Sequence, residues 1–107
     1  MINKNLKGEV FLLRHQIRKH MERIFTDTND VILDIGCGDN PFYKKSIKGK
    51  IIGLDIQPSS YISVVGDAHH LPFSNDTFDK VILANSLYYF KNPKMVIDEI
   101  FRVMKKK

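Results

Sequence analysis

Cysteine is nearly absent from this chain of 107 residues, with Cys37 standing alone. No internal disulfide can form, and a reducing compartment suits the chain, with the cytoplasm as the default expectation. Long apolar runs are missing too. They reach only a few residues, against the roughly 20 that a membrane-crossing helix needs, so no membrane span is expected. Lys4, Lys7, Glu9 and Arg14 interrupt any apolar stretch that could serve as a signal peptide. No internal repeat, low-complexity tract or linker divides the sequence, and its length allows one small domain, 1–107, with a single core. What remains is an ordinary globular composition, 43% apolar and 27% charged.

The net charge of +5 is unevenly placed. Residues 1–25 carry six Lys/Arg against two acids, residues 91–107 repeat that balance, and the middle carries five lysines against eight aspartates. Basic termini attract phosphates, so a nucleic-acid partner is a candidate. Solvated helix faces are the reading favoured here, because no aromatics alternate with these cations as a single-strand platform needs.

Residues 8–25 form the first expected element, an amphipathic helix with Val10, Leu13, Ile17, Met21 and Ile24 on its apolar stripe. His15 and His20, five apart, do not share a face and read as surface residues. Val31-Ile32-Leu33-Asp34-Ile35 then reads as a buried strand, and Gly36-Cys37-Gly38 as a tight turn after it. Asn40-Pro41 looks like a cap followed by proline at the first helical position, so a short helix is expected from Pro41 to Ile47. Further strands are expected at Ile51–Asp55, Tyr61–Val65 and Phe78–Asn85, and Asn92-Pro93 opens a last helix with Val96, Ile100 and Val103 inward. Such alternation argues a parallel, right-handed α/β sheet. One link is short. Between Asp55 and Tyr61 no crossover helix fits, so either a single turn suffices or the third strand is irregular.

A strand that ends in a Gly-x-Gly turn is where open α/β sheets bind ligands, and a nucleoside ribose then falls about 20 residues on. Asp55 stands there, able to accept from both ribose hydroxyls. The dinucleotide fingerprint fails, because its third glycine is replaced by Pro41; a phosphate-binding loop fails for want of Gly-Lys-Ser/Thr. Asp34 and Asp39 give the turn an acidic flank, which suits a cationic sulfonium with an α-ammonium group, S-adenosylmethionine. An NAD- or nucleotide-binding α/β fragment is the rival. His69-His70 has no acid or cysteine at metal-ligand spacing and reads as solvent-facing loop. Cys37 reads as a small buried residue, and Tyr88-Tyr89-Phe90 either lines a pocket or packs a helix.

Val31–Gly38 resembles the first motif of class I S-adenosylmethionine-dependent methyltransferases. The match continues through Ile52–Asp55, Gly66-Asp67-Ala68 with Leu71-Pro72-Phe73, and Phe78–Val81. It ends at Glu99-Ile100-Phe101-Arg102-Val103-Met104, which is similar to a helix of the ubiquinone/menaquinone-type small-molecule branch. The resemblance covers roughly residues 30–106. It implies a Rossmann-like parallel sheet with flanking helices, about four strands in the order 3-2-1-4, as the front portion (30–107) of an incomplete methyltransferase fold. It also implies the cofactor S-adenosyl-L-methionine. Gly36, Cys37 and Gly38 would lie along its methionine part, with Asp34 near the ammonium group through water or backbone. Asp55 would hold the ribose, with Ile56 beside it. Asp67 would meet the adenine amino group, Ala68 would offer a backbone N–H, and Asn85 would sit near the methyl group. No catalytic residue can be named.

Family members continue with Pro-Gly-Gly and a fifth strand where this chain reaches Lys105-Lys106-Lys107. The fourth strand is therefore expected at an edge, and edges recruit strands. A homodimer through it or through Leu87–Phe90 is the expectation, with a small molecule as methyl acceptor. A non-catalytic or partner-dependent binding module is the alternative to an enzyme.

Overall fold

The computed structural model describes residues 6–36, 38, 41–83 and 90–106. The element order is α1 (Leu6–Ile24), β1 (Val31–Ile35), β2 (Lys50–Asp55), β3 (Val64–Val65), β4 (Lys80–Leu83) and α2 (Pro93–Val103). The four strands form one parallel sheet in the order β3-β2-β1-β4, as expected. β1 is central. Leu33 faces Ile52 on one side and Val81 on the other, and Asp34 lies between Gly53 and Ile82.

Alternation along β1 splits the interior into two cores. Leu33 and Ile35 meet Leu54, Phe78, Val96 and Val103 on the α2 face. Ile32 meets Phe25, Tyr43, Ile47 and Ile82 on the α1 face. Both faces of the sheet are thus covered, which is why its strands read as near-continuous apolar runs.

Asn92 caps α2 as its sequence suggests, accepting from Met95 N–H at 3.2 Å, with Pro93 in the first turn. Val96 and Val103 are buried and Ile100 half-buried, so the predicted stripe is the packed one. On α1, Ile17 and Met21 are half-buried, but Ile24 is 40% exposed and Phe25 takes its place inside. The helix ends there, and the departing chain turns the next residue inward. His15 and His20 are exposed.

Two expectations need correction. No helix runs from Pro41 to Ile47; the segment is a turn with a short 3-10 stretch, Lys44–Ser46. Its bonds close three residues back, from Lys44 to Pro41 at 3.1 Å and from Ser46 to Tyr43 at 2.9 Å. The reason lies in the side chains. Phe42 goes out to Arg14 and Arg18 of α1, while Tyr43 goes down onto β1, 2% exposed. The cap residue Asn40 lies outside the described residues.

The third strand is also shorter than Tyr61–Val65, pairing only over Val64–Val65. Tyr61 instead lies across β2, where a Cβ on Gly53 would stand 3.0 Å from its ring. Its hydroxyl reaches Asp34 on β1 at 3.0 Å. The ring covers β2 where a crossover helix would otherwise lie, which is how so short a connection suffices.

β4 pairs over Lys80–Leu83, so the Phe78–Asn85 expectation is trimmed at its start; Phe78 makes an isolated parallel bridge with Met104 instead. Ala84, Asn85 and Leu87–Tyr89 lie outside the described residues. Asp79 joins β4 to β1, accepting from Val31 N–H at 2.7 Å and from Lys105 Nζ at 3.2 Å. That N–H, then the lysine, holds its carboxyl below the usual aspartate value.

Candidate functional site

The carboxyl ends of β1, β2 and β3 open onto one cleft of about 730 Å³, within the range typical of small-molecule sites. Ile35 and Gly36 form its floor, Asp55 and Ile56 one wall, and Asp67 and Ala68 the next. Five of the nine residues singled out for the cofactor therefore meet in one place. Cys37 and Asn85 lie outside the described residues.

Gly36 (φ +64°) and Gly38 (φ +68°) both adopt the left-handed backbone that glycine takes at little cost. Gly36 N–H donates to Leu54 O at 2.8 Å, fastening the turn to β2. Gly38 is not among the cleft-lining residues, but its N–H donates to Asp55 Oδ2 at 2.9 Å. Asp55 is thus the latch of the glycine turn as well as part of the wall. Its Oδ1 accepts from Ile56 N–H at 2.7 Å and from Gln57 N–H at 3.4 Å. The last bond is long enough to yield to a ligand hydroxyl, since a carboxylate offers about four lone-pair sites. A Cβ on Gly38 would meet nothing within 4 Å, so the turn leaves room for an approaching group.

Asp34 sits differently. Its carboxylate is fully buried on the α1 face, accepting from Tyr43 Oη at 3.0 and 2.9 Å and from Tyr61 Oη at 3.0 Å. Its side chain is not part of the cleft lining. Any influence on a ligand there passes through the backbone of the turn that Asp34 precedes.

The far wall comes from residues the sequence reading passed over or read otherwise. His69, Phe90, Asn92 and Met95 line it. His69 is no solvent-facing loop residue: its side chain is 16% exposed and bonded at both ring nitrogens, whereas His70 is exposed as expected. A signal did exist, because His69 follows Asp67 by two residues, the spacing at which an aspartate bonds the chain ahead of it. Phe90 lines the cleft and packs edge-on to His69, with ring centroids 5.8 Å apart.

The loop carrying Asp67 is clamped to α2. Glu99 Oε1 accepts from Leu71 N–H at 2.9 Å. Arg102 donates to Phe73 O at 2.8 Å, to Leu71 O at 2.9 Å, and to Glu99 at 2.7 Å. The arginine holds the Glu99 carboxyl below its usual value. The two motifs Leu71-Pro72-Phe73 and Glu99–Arg102 are therefore halves of one device.

Among the described residues no group of three or more His, Cys, Asp or Glu could hold a metal ion, and no helix is long and apolar enough to cross a membrane.

A family profile described as "Methyltransferase domain" matches residues 33–107. A demethylmenaquinone methyltransferase of Lactiplantibacillus plantarum is 29% identical, over 86% of this chain and 48% of its own length. Among solved structures, the [4+2]-cyclase SpnF superposes with a TM-score of 0.71 at 22% identity, covering 84% of this chain and 40% of that one. A Haloferax volcanii structure, a complex with the Trm112 methyltransferase activator, matches at 27% identity and a TM-score of 0.64, over 81% of this chain and 46% of that one. The chain spans about half the length of these relatives. The likeness to a cyclase concerns fold alone, because one architecture hosts several chemistries.

Proposed function

The chain belongs to the methyltransferase-domain family, and on that premise we propose that it is the cofactor-holding portion of an S-adenosylmethionine-dependent methyltransferase. One observation carries the reading: Asp55 and Asp67 line the same cleft, beside a left-handed glycine turn, at the carboxyl end of a parallel sheet. Ligands of open α/β sheets bind at that end.

The residues fit the cofactor by their chemistry. Asp55 and its neighbour Ile56 would hold the ribose side, Asp67 and Ala68 the adenine side, and Gly36 to Gly38 the methionine side, with Asp34 setting the turn from beneath. By the family resemblance, Asn85 would sit near the transferring methyl. When bound, the sulfonium supplies an activated methyl group, so little is asked of the protein beyond alignment and exclusion of water. Ile35, Leu54, Phe90 and Met95 provide the apolar surface for that exclusion. No residue is assigned as a general base.

The acceptor we favour is a small molecule, in keeping with the demethylmenaquinone methyltransferase relative. A nucleic-acid acceptor is less favoured: the Arg14 and Arg18 guanidinium carbons stand 5.0 and 5.4 Å from the Phe42 ring centroid, so these cations are engaged within the fold. A reducing, cytoplasmic setting suits the single cysteine. A second copy pairing along β4 is the association we favour, since parallel pairing engages β4 on its β1 side. The partner-dependent module remains the second reading, because the chain spans about half of its relatives and one solved relative is a complex with a methyltransferase activator.

Calorimetric titration of the 107-residue chain with S-adenosylmethionine, S-adenosylhomocysteine and NAD tests the cofactor. Binding of both adenosyl compounds with no binding of NAD is expected. The converse would overturn the reading. Methyl transfer from labelled cofactor into a cell extract separates enzyme from module.

A further inference from the structure

At the rim of the cleft, one side chain joins the start of α2 to the carboxylate of Asp67. Asn92 backbone N–H donates to His69 Nε2 at 3.1 Å. A ring nitrogen that accepts carries no proton, so the proton of the neutral imidazole is on Nδ1. Nδ1 lies 2.7 Å from Asp67 Oδ1 and donates to it. The backbone N–H of His69 reaches the same oxygen at 2.9 Å. Two donors thus converge on Oδ1, while no described residue donates to Oδ2. Phe90, edge-on to the imidazole at 5.8 Å, fixes the ring plane. The exposures divide accordingly, with the His69 side chain 16% exposed and that of Asp67 52%. The histidine is packed, and the carboxylate is open to a ligand.

We propose that His69 is a positioning residue that sets base selectivity: it orients Asp67 so that Oδ2 meets the amino edge of the ligand's base, favouring a 6-aminopurine over a 6-oxopurine. The inference rests on the reading of this cleft as an adenosyl site. The His69 backbone N–H, then its ring N–H, holds the Asp67 carboxyl below its usual value. The group therefore stays an anion that only accepts. An exocyclic amine gives it a donor, whereas a 6-oxo group brings lone pairs against it. Sites built to satisfy a donor reject the analogue that lacks it far more sharply than apolar pockets reject a change of size. Two rival uses of the histidine fail on the same geometry. Nε2 is engaged by Asn92 and is no free base, and no metal-holding group stands among the described residues.

The test is calorimetry on the full chain with S-adenosylhomocysteine and its 6-oxo counterpart, S-inosylhomocysteine. The wild-type chain is expected to prefer the amino compound by about tenfold or more, the worth of one hydrogen bond to a charged group. In His69→Ala the preference should shrink to within about threefold, a change that simple loosening of the fold would not produce because both ligands would weaken together. His69→Asn, which keeps a donor near the Nδ1 position, should retain more of the preference than His69→Gln, which does not. A preference undiminished in His69→Ala overturns the inference. Should that variant not fold, equal preferences in the Asn and Gln variants, or the reverse order, overturn it instead. A wild-type chain that binds both compounds equally overturns the inference while leaving the adenosyl reading standing, and one that binds neither overturns that reading and the inference with it.

Discussion

The Tyr61 hydroxyl crosses β2 to donate to the buried Asp34 carboxylate on β1, at 3.0 Å, through the gap that Gly53 leaves. Tyr43 reaches the same carboxylate from the 3-10 side at 2.9 Å. A short loop and a short turn, neither a regular helix, are thereby tied to β1 immediately before the Gly36–Gly38 turn.

Tyr61→Phe is expected to cost about 1–3 kcal/mol, because a buried carboxylate loses a donor that water does not readily replace. Urea denaturation with an unchanged m-value reads this directly. A midpoint equal to that of the wild-type chain would show that the bond adds nothing.

The glycines should differ in a stated order. Gly49 has φ +112°, and a Cβ there would stand 2.8 Å from the Asp30 carbonyl oxygen. Gly38 has φ +68° and open space. Gly38→Ala should cost only the left-handed penalty, about 1–2 kcal/mol, and Gly49→Ala clearly more. Equal melting temperatures for the two variants would refute the order.

Asp55→Ala is expected to weaken S-adenosylhomocysteine binding by about tenfold or more, since it removes a charged acceptor from the ribose side and unlatches Gly38. The dissociation constant is the readout, with Asp55→Asn as the milder comparison. Affinity preserved in Asp55→Ala would remove the ribose assignment.

Acid should loosen both the rim of the cleft, at Asp67 and Glu99, and the amino end of β1, at Asp79. Asp67, Asp79 and Glu99 all have carboxyls held below their usual values by N–H donors or cations. In each case the unfolded chain takes up protons at a higher pH than the folded one. The stabilisation is complete above the ordinary carboxylate range and drains away as pH falls through the lowered values. Thermal melts across pH 3–6 should show this loss, and Glu99→Gln should flatten part of it. A melting temperature indifferent to pH over that window would contradict the bonding described.

Light scattering at rising concentration checks the association along β4. A mass that climbs toward twice the monomer is expected, and a monomer mass throughout would end the idea.

Much of the fold was legible because its signals are local. The β1 run, the Gly36–Gly38 turn and the Asn92-Pro93 cap each announce themselves within a few residues. Asp55 and Asp67 could be placed by spacing and resemblance. What stayed hidden depends on partners far along the chain. The fate of the Pro41–Ile47 segment was decided by Tyr43 reaching Asp34, and that of the third strand by Tyr61 doing the same over Gly53. No periodicity rule sees either contact. His69 looked like a solvated loop residue because its partner, the Asn92 N–H, is 23 positions away. The Glu99–Arg102 pair could be matched as a motif, but its purpose required the carbonyls of Leu71 and Phe73 beside it.

The position of β1 also dictates the order in which this molecule can assemble. It is the first described strand and lies inside the sheet, between β2 and β4, and β4 begins only at Lys80. The Asp67 rim, in turn, waits for Asn92, Glu99 and Arg102. Until α2 docks, a growing chain holds apolar strands and no closed cleft, the circumstance in which non-local parallel pairing is slow and exposed to misassembly. Ligand binding at this cleft therefore reports on folding as far as α2: a chain that grips a ligand there has already docked that helix.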